Sequence, residues 1–466
     1  MPKTYCIRFE PDGRAVDIVE GATVLEAAIQ AGVRMNAPCG GKGTCGGCMV
    51  QIPEDPPAVS EAGRRQLTGE EIKRDLRLAC QVRISSDMRI VIPDETRLHD
   101  QQILEAGMER DVPLSPQVCK FHVHLSEPTI TDQRADGERL AEAVALERPG
   151  AEVDLPLARE LPEKMRKFRY DLTATVVGNR IVRVERGDTS KALYGMAFDI
   201  GTTTVVGMLI DLTSGRQLAV GSRTNPQTTY GDDVLARIEY IDRHGGGLKV
   251  LSDAIVECLN EIIKEVSAEV GIRATNIYEA TAVGNTTMMH IFLKLPVTNI
   301  GRAPYTPAFR GGQTVSPRDV GLKINPRGQV YVPPNITGFL GADTTSVILA
   351  SDMHNSDKLS LAIDIGTNGE IVLGNRQRII ACSTAAGPAF EGARIQYGMR
   401  ASGGAIDRVD IIDNEVRLHT IHDAAPVGLC GTGLIDAVAE LIRVGIVRDT
   451  GAFCDAEHPL PEPLKN

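Results

Sequence analysis

Four cysteines stand at Cys39, Cys45, Cys48 and Cys80, spaced C-x5-C-x2-C with 31 residues before the fourth. Thiolates are metal ligands, and four of them on one chain can close a zinc site or hold an iron–sulfur cluster. The residues between the first three, "GGKGT" and "GG", are almost all glycine. Glycine permits the positive-φ turns of a tight loop and lets backbone N–H groups approach inorganic sulfide. Structural zinc more often uses two separated C-x2-C knuckles, whereas here three cysteines crowd one loop. The same loop is a decoy for a phosphate loop: Lys42 is followed by Gly43, so no G-x-x-x-x-G-K-[ST] is present.

A second chemistry is written twice. "MAFDIGTTTVVGMLIDL" at 196–212 returns as "LAIDIGTNGEIVLGN" at 361–375, placing Asp199 and Asp364 each at the end of an apolar run and before Ile-Gly-Thr. A strand that ends in Asp and turns through Gly-Thr sets a carboxylate beside exposed backbone N–H groups. Those amides and the Thr hydroxyls can hold phosphate oxygens while the carboxylate holds hydrated Mg²⁺. Two such turns facing each other would clamp a nucleotide's phosphates from both sides. A third constellation is weaker. His122 and His124, two apart on a strand-like run, can share one face, but no third ligand lies near them in sequence.

The bulk numbers bound these readings. At 466 residues the chain is too long for one core, and a soft prior of ~150 residues per domain predicts about three. A formal charge of −11 argues against nucleic-acid partners and anionic membranes. No apolar run is long enough to span a bilayer and "MPKTYCIRFE" has no signal-peptide core, so a cytoplasmic location is expected. The remaining cysteines (Cys6, Cys119, Cys258, Cys382, Cys430 and Cys454) are scattered and are expected to be buried packing thiols.

The elements that must position this chemistry are legible in part. "YCIRF" and "AVDIV" alternate as strands around an Asp-Gly turn, and "TVLEAAIQAG" reads as a helix with Thr23 as N-cap, Glu26 closing a capping box and Gly32 ending it. "RIVIPDE" reads as a closing strand. Further on, "VCKFHVHL" alternates as a strand, "DQRADGERLAEAVAL" is helical in pattern, and "TATVVGNRIVRVERGD" predicts a hairpin. From about 195, strand-like runs alternate with helical stretches such as "LSDAIVECLNEIIKEVSAEVG", predicting an α/β architecture of two related lobes.

Residues 1–95 resemble a 2Fe–2S ferredoxin of the C-x5-C-x2-C variety, close to the plant-type spacing. The later regions resemble the superfamily of acetate and sugar kinases, Hsp70 and actin, with Asp199–Thr204 and Asp364–Glu370 as the two phosphate motifs. "AVGNTTMMH" at 282–290 occupies the place of its first connecting helix. With "DQRADGERL", "ITGFLGADTTS", "CSTAAGPAFEGARI" and "GLCGTGLIDAVAELI", the whole is similar to the reductive activators of corrinoid proteins.

The resemblance implies an α+β and α/β multidomain chain: a β-grasp ferredoxin domain at 1–95, a linker at 96–110, a small mixed middle domain at 111–194 and a two-lobed actin-like ATPase domain at 195–466. It implies a 2Fe–2S cluster on Cys39, Cys45, Cys48 and Cys80, and ATP with Mg²⁺. Asp199 and Asp364 would organise the Mg²⁺, with Asp364 orienting the attacking water, while Gly201, Thr202, Thr203, Gly366, Thr367 and Asn368 contact phosphates. Asp343 and Glu391 are secondary candidates, with a helix-capping and a surface role as their alternatives. Asn285 is a poor general base, because an amide does not usefully accept a proton.

The implied partners are a corrinoid methyl carrier returned from Co(II) to Co(I), an upstream electron donor and, for a homodimer, a second copy of the chain. No late glycine-rich adenosine motif follows "GLIDAVAELIRVGIVRDTG", so the second lobe is expected to be incomplete and to expose apolar surface. Two other functions stay open: an electron carrier with a degenerate nucleotide-binding docking domain, and an activator of a radical dehydratase.

Overall fold

The computed structural model describes residues 3–453 apart from 34, 36, 38–40, 45, 94–95, 97–111, 367, 385–394, 396, 400, 414 and 449. The chain falls into two compact units. One comprises Met1–Leu104, Thr224–Gly247 and Asp352–Asn466, the other Glu105–Arg223 and Leu248–Ser351.

The N-terminal strands β1 (Thr4–Glu10) and β2 (Arg14–Val19) pair antiparallel, as their alternation predicts, and bury Ile7, Phe9 and Ile18 on one face. Helix α1 (Val24–Gln30) opens with the predicted capping box between Thr23 and Glu26 and buries Val24, Leu25, Ala27 and Ala28. Each fully buried Val or Leu contributes roughly 1.5–3 kcal/mol by leaving water. Then follow β3 (Met49–Gln51), two short helices α2 (Glu61–Gln66) and α3 (Gly69–Lys73), β4 (Leu76–Leu78) and β5 (Met88–Val91). The sheet runs β2-β1-β5-β3-β4, with β1 and β5 parallel.

The next region pairs β6 (Val118–His124) with β8 (Asp171–Val177), β8 with β9 (Arg180–Arg186), and β9 with β7 (Glu152–Val153). Helices α4 (Asp136–Ala145), α5 (Leu155–Ala158) and α6 (Leu161–Lys167) cover one face, where Leu140, Val144, Leu161 and Met165 meet Leu172, Ala174 and Val176. On the other face Val118, Val177 and Val182 pack with Leu193 and Tyr278, and Lys120 forms an ion pair with Glu185.

A six-stranded sheet follows, ordered β12-β11-β10-β13-β15-β14. Its strands are β10 (Tyr194–Ile200), β11 (Thr204–Asp211), β12 (Gln217–Thr224), β13 (Ile277–Val283), β14 (Gln313–Val315) and β15 (Gln329–Val332). Between β12 and β13 run α7 (Val234–Arg243) and α8 (Gly247–Val270). Helices α9 (Thr286–Phe292), α10 (Pro317–Val320) and α11 (Ala342–Ala350) complete the region. Leu251, Ile255, Leu259, Ile262 and Val266 recur at helical spacing along α8 and are all fully buried.

The last region holds a meander of β16 (Ser360–Ile365), β17 (Gly369–Asn375) and β18 (Arg378–Thr384). It also holds a second sheet of β19 (Ala405–Ile412), β20 (Glu415–Thr420) and β21 (Gly428–Leu429), backed by α12 (Gly431–Arg443). Leu361, Ile363, Ile365 and Ile380 are exposed on the meander. The scattered cysteines correct one expectation. Cys258 and Cys430 are buried, but Cys6 and Cys119 are half-buried and Cys382 is exposed; Cys454 lies outside the described residues. Cys382 points outward because strand alternation along β18 puts it on the solvent side.

Candidate functional site

The cluster loop is framed by the β3–β4 ladder. Met49 pairs with Leu78, and the Ala79 amide donates to the Cys48 carbonyl at 2.8 Å, which sets Cys48 and Cys80 on adjacent strand ends. Both residues are buried, at 1% and 7% exposure, so a group held there is shielded from water on their side. Gly41, Gly43 and Gly46 have φ of 88°, 73° and 73°, a left-handed conformation that favours glycine. The Gln81 amide donates to Cys80 Sγ at 3.5 Å and to the Gly41 carbonyl at 3.4 Å, a partner that spacing alone did not flag. Buried thiols, a left-handed glycine loop and an amide donor at sulfur fit a 2Fe–2S cluster. Cys39 and Cys45 lie outside the described residues. Lys42, the residue that imitates a phosphate-loop lysine, pairs with Glu239 of α7 instead.

Both Asp-Ile-Gly phrases are hairpin turns. Asp199 sits one residue from the end of β10, opposite Val206 of β11, and faces solvent while Phe198 and Ile200 are buried. Asp364 sits one residue from the end of β16, directly opposite Glu370 of β17. Asp364 stays solvent-accessible. Desolvation by the surrounding strands raises its carboxyl above the ordinary value, a rise its exposure keeps small in energy. Glu370 is buried and accepts a hydrogen bond from the Ser383 hydroxyl at 3.2 Å. Gly366 and Asn368 form the turn, with the Gly366 amide donating to the Asn368 carbonyl at 3.1 Å; Thr367 lies outside the described residues.

Around the first turn, three separate phrases converge. Asn285 caps α9, its Oδ1 accepting from the Met288 amide at 3.0 Å, and its Nδ2 donates to Thr202 Oγ1 at 3.0 Å. A Cβ at Gly284 would lie 2.6 Å from the Ile200 carbonyl, and one at Gly341 would lie 2.5 Å from the Asn285 Cα. Only glycine allows these backbones to approach so closely, and this approach joins "DIGTT", "VGNTT" and "LGAD". The Asp343 amide donates to the Gly284 carbonyl at 3.2 Å, so Asp343 lies in the first turn of α11 beside this junction. Asn285 is therefore a cap and a tether. Gly201 and Thr203 complete the turn; Glu391 lies outside the described residues.

Four family models match the chain: a 2Fe-2S iron-sulfur cluster binding domain over 7–85, the RACo linker region over 107–191, the RACo middle region over 194–356, and the C-terminal domain of RACo, the ASKHA domain, over 358–462. A corrinoid activation enzyme of Eubacterium limosum is 34% identical over 455 residues, covering 97% of this chain and 73% of its own length. A reductase of a Co(II) methylated amine-specific corrinoid protein from Methanosarcina barkeri is 28% identical, over 55% of this chain and 52% of its own. A solved reductive activator for a corrinoid, iron-sulfur protein superposes with a TM-score of 0.68 at 38% identity, covering 97% of this chain and 74% of that one. No described helix is long and apolar enough to cross a membrane. A ferredoxin loop on buried thiols, joined in one chain to an ASKHA domain and matched nearly end to end by such relatives, places this chain in the family of reductive activators of corrinoid proteins.

Proposed function

We propose that this chain returns a corrinoid methyl carrier from Co(II) to Co(I) in a reaction coupled to ATP. The observation that carries the reading is the buried Cys48–Cys80 pair under its glycine loop, in the same chain as two Asp-Ile-Gly hairpins. Cys39, Cys45, Cys48 and Cys80 would hold a 2Fe–2S cluster, which would supply the electron and be reloaded by an upstream donor. Cys48 and Cys80 hold their thiolates out of water, and Gln81 stabilises sulfur charge through its amide.

Reducing Co(II) is uphill. A step of about 30 mV costs ~0.7 kcal/mol for one electron, so a nucleotide-sized free energy offsets several hundred millivolts. The residues proposed for this work are Asp199 and Asp364 as Mg²⁺-organising carboxylates, and Gly201, Thr202, Thr203, Gly366, Thr367 and Asn368 as phosphate contacts. The Asp364–Glu370 juxtaposition supports this role, because it sets two carboxyl groups directly opposite each other beside the Gly366–Asn368 turn. The division into a ferredoxin domain at 1–95, a linker at 96–110, a middle domain at 111–194 and an ATPase domain at 195–466 is part of the same reading.

The test is anaerobic. The chain with its cluster assembled is mixed with a Co(II) corrinoid methyl carrier and a reductant, with and without Mg-ATP, and Co(I) is followed by its visible absorption. Co(I) formation that needs ATP and is lost in Asp364→Asn supports the reading. Co(I) formation equal with and without ATP would leave an electron carrier with a degenerate docking domain.

A further inference from the structure

The fold supplies the ligand that the sequence around His122 and His124 lacks. Both histidines lie on β6, two residues apart and so on the same face. Antiparallel pairing sets His124 directly opposite Asp171 on β8, 47 residues later, with His122 opposite Thr173. His122 Nε2 lies 2.7 Å and His124 Nδ1 3.1 Å from the same Asp171 Oδ1. The ring centroids are 4.6 Å apart in an edge arrangement, and the three ligand atoms all fall within 4.8 Å of one another.

We propose that His122, His124 and Asp171 form a binding site for a divalent transition-metal ion of the zinc class. Metal–ligand bonds of about 2.0–2.2 Å at tetrahedral or octahedral angles put neighbouring ligand atoms about 3.0–3.4 Å apart. The two N···O separations, 2.7 and 3.1 Å, lie near that range, so small side-chain shifts bring the three ligand atoms around one ion. His124 is free to make that adjustment because its side chain is 74% exposed. The two strands hold the ligand backbones in register, which favours a precise site over a loop-borne one.

Two imidazoles and one carboxylate suit zinc, cobalt or iron(II) rather than magnesium or calcium, which prefer all-oxygen shells. Asp188 adds negative charge beside the cluster: it interacts electrostatically with His122, while Ser190 donates to its Oδ1 through both amide and hydroxyl. Toward the sheet interior, the same face holds the buried Lys120–Glu185 pair and closes against Tyr278. The His–His–Asp cluster is thus the solvent-facing end of an otherwise buried polar face. With three protein ligands and an open side, the ion keeps a position for water or a partner's ligand.

The competing account is a hydrogen-bonded triad that binds no metal. Full-length protein with its cluster assembled, so that Cys39, Cys45, Cys48 and Cys80 are occupied, is dialysed to equilibrium against zinc and analysed for metal. The Zn K-edge absorption fine structure is recorded on the same sample. The expected result is one zinc per chain beyond background, a shell of nitrogen and oxygen with imidazole scattering, and affinity reduced about tenfold or more in His124→Ala and in Asp171→Asn. Unchanged exchange protection of the β6 and β8 amides in the variants shows that the region carrying the site folds. Sulfur in the zinc shell, no stoichiometric zinc in the wild type, or zinc retained by the His122→Ala/His124→Ala double variant would each overturn the proposal. None of these readouts depends on corrinoid reduction.

Discussion

Asn285 Nδ2 donates to Thr202 Oγ1 at 3.0 Å across 83 residues of sequence, while Asn285 Oδ1 caps helix α9 through the Met288 amide. One side chain therefore orders the start of a helix and holds the first Asp-Ile-Gly turn against it. Its amide needs both ends, one to accept and one to donate, which neither Asp nor Ala provides.

Asn285→Ala is expected to lose the cap, at about 0.5–2 kcal/mol, and to release the Thr202 hydroxyl. Hydrogen exchange of the α9 amides measures the first effect. Mg-nucleotide affinity, followed by calorimetry, measures the second, with a drop of about tenfold expected for roughly 1.4 kcal/mol of lost positioning. Faster α9 exchange with unchanged affinity would restrict Asn285 to capping.

His290 offers a pH signature. It is fully buried in α9, its Nδ1 lies 2.7 Å from the Thr286 carbonyl, and its Nε2 accepts the Ala308 amide at 2.9 Å. That arrangement fixes the neutral tautomer with N–H on Nδ1, and burial pushes the pKa below its ordinary 6.5. Below pH 6.5 the unfolded chain takes up a proton that the native imidazole refuses, so stability falls as pH drops and is unaffected above that value. The slope contributed is up to about 1.4 kcal/mol per pH unit. Urea unfolding monitored at α9 should therefore weaken on acidification in the wild type and be flatter in His290→Gln. Parallel profiles would assign the acid sensitivity elsewhere.

Gln81 should tune the cluster. Its amide donates to Cys80 Sγ, and a donor at sulfur favours the more negative, reduced state. Removing a hydrogen bond of about 0.5–1.5 kcal/mol in Gln81→Ala is expected to lower the midpoint potential by about 20–60 mV. Potentiometric titration followed by electron paramagnetic resonance reads this directly, and a potential within error of wild type would remove Gln81 from that role.

The buried Lys120–Glu185 pair makes a stability prediction in the middle region. Desolvation pulls the Lys120 ammonium below its ordinary pKa despite the partner carboxylate. Lys120→Ala removes one of the cations on Glu185, which keeps Arg183 at 3.3 Å and the Thr189 hydroxyl at 2.9 Å, and is expected to cost about 1.5–3 kcal/mol, whereas the Lys120→Met/Glu185→Met pair should return part of that. Exchange protection of the β6 and β8 amides in both variants tests it. Equal losses in the two variants would argue that the pair contributes through specific geometry rather than charge compensation.

What could be seen in the sequence was local. Thr23 and Glu26 announce the start of α1 because a capping box closes within one helical turn. Asp12 and Gly13 announce the β1–β2 turn, and the cysteine spacing announces its cofactor class, since ligands and glycines sit in one short loop. The two Asp-Ile-Gly hairpins were legible for the same reason: strand, turn and strand are contiguous.

Tertiary structure decided what depends on register and close approach. Asp171 joins His122 and His124 only because β8 pairs with β6 in one register, and a one-residue slip would turn it to the other face. Gly284 and Gly341 matter only because two backbones far apart in sequence meet there, leaving no room for a Cβ. Cys382 is exposed, against its composition, because the side of a strand that faces water is set by what packs on the sheet rather than by the residue itself.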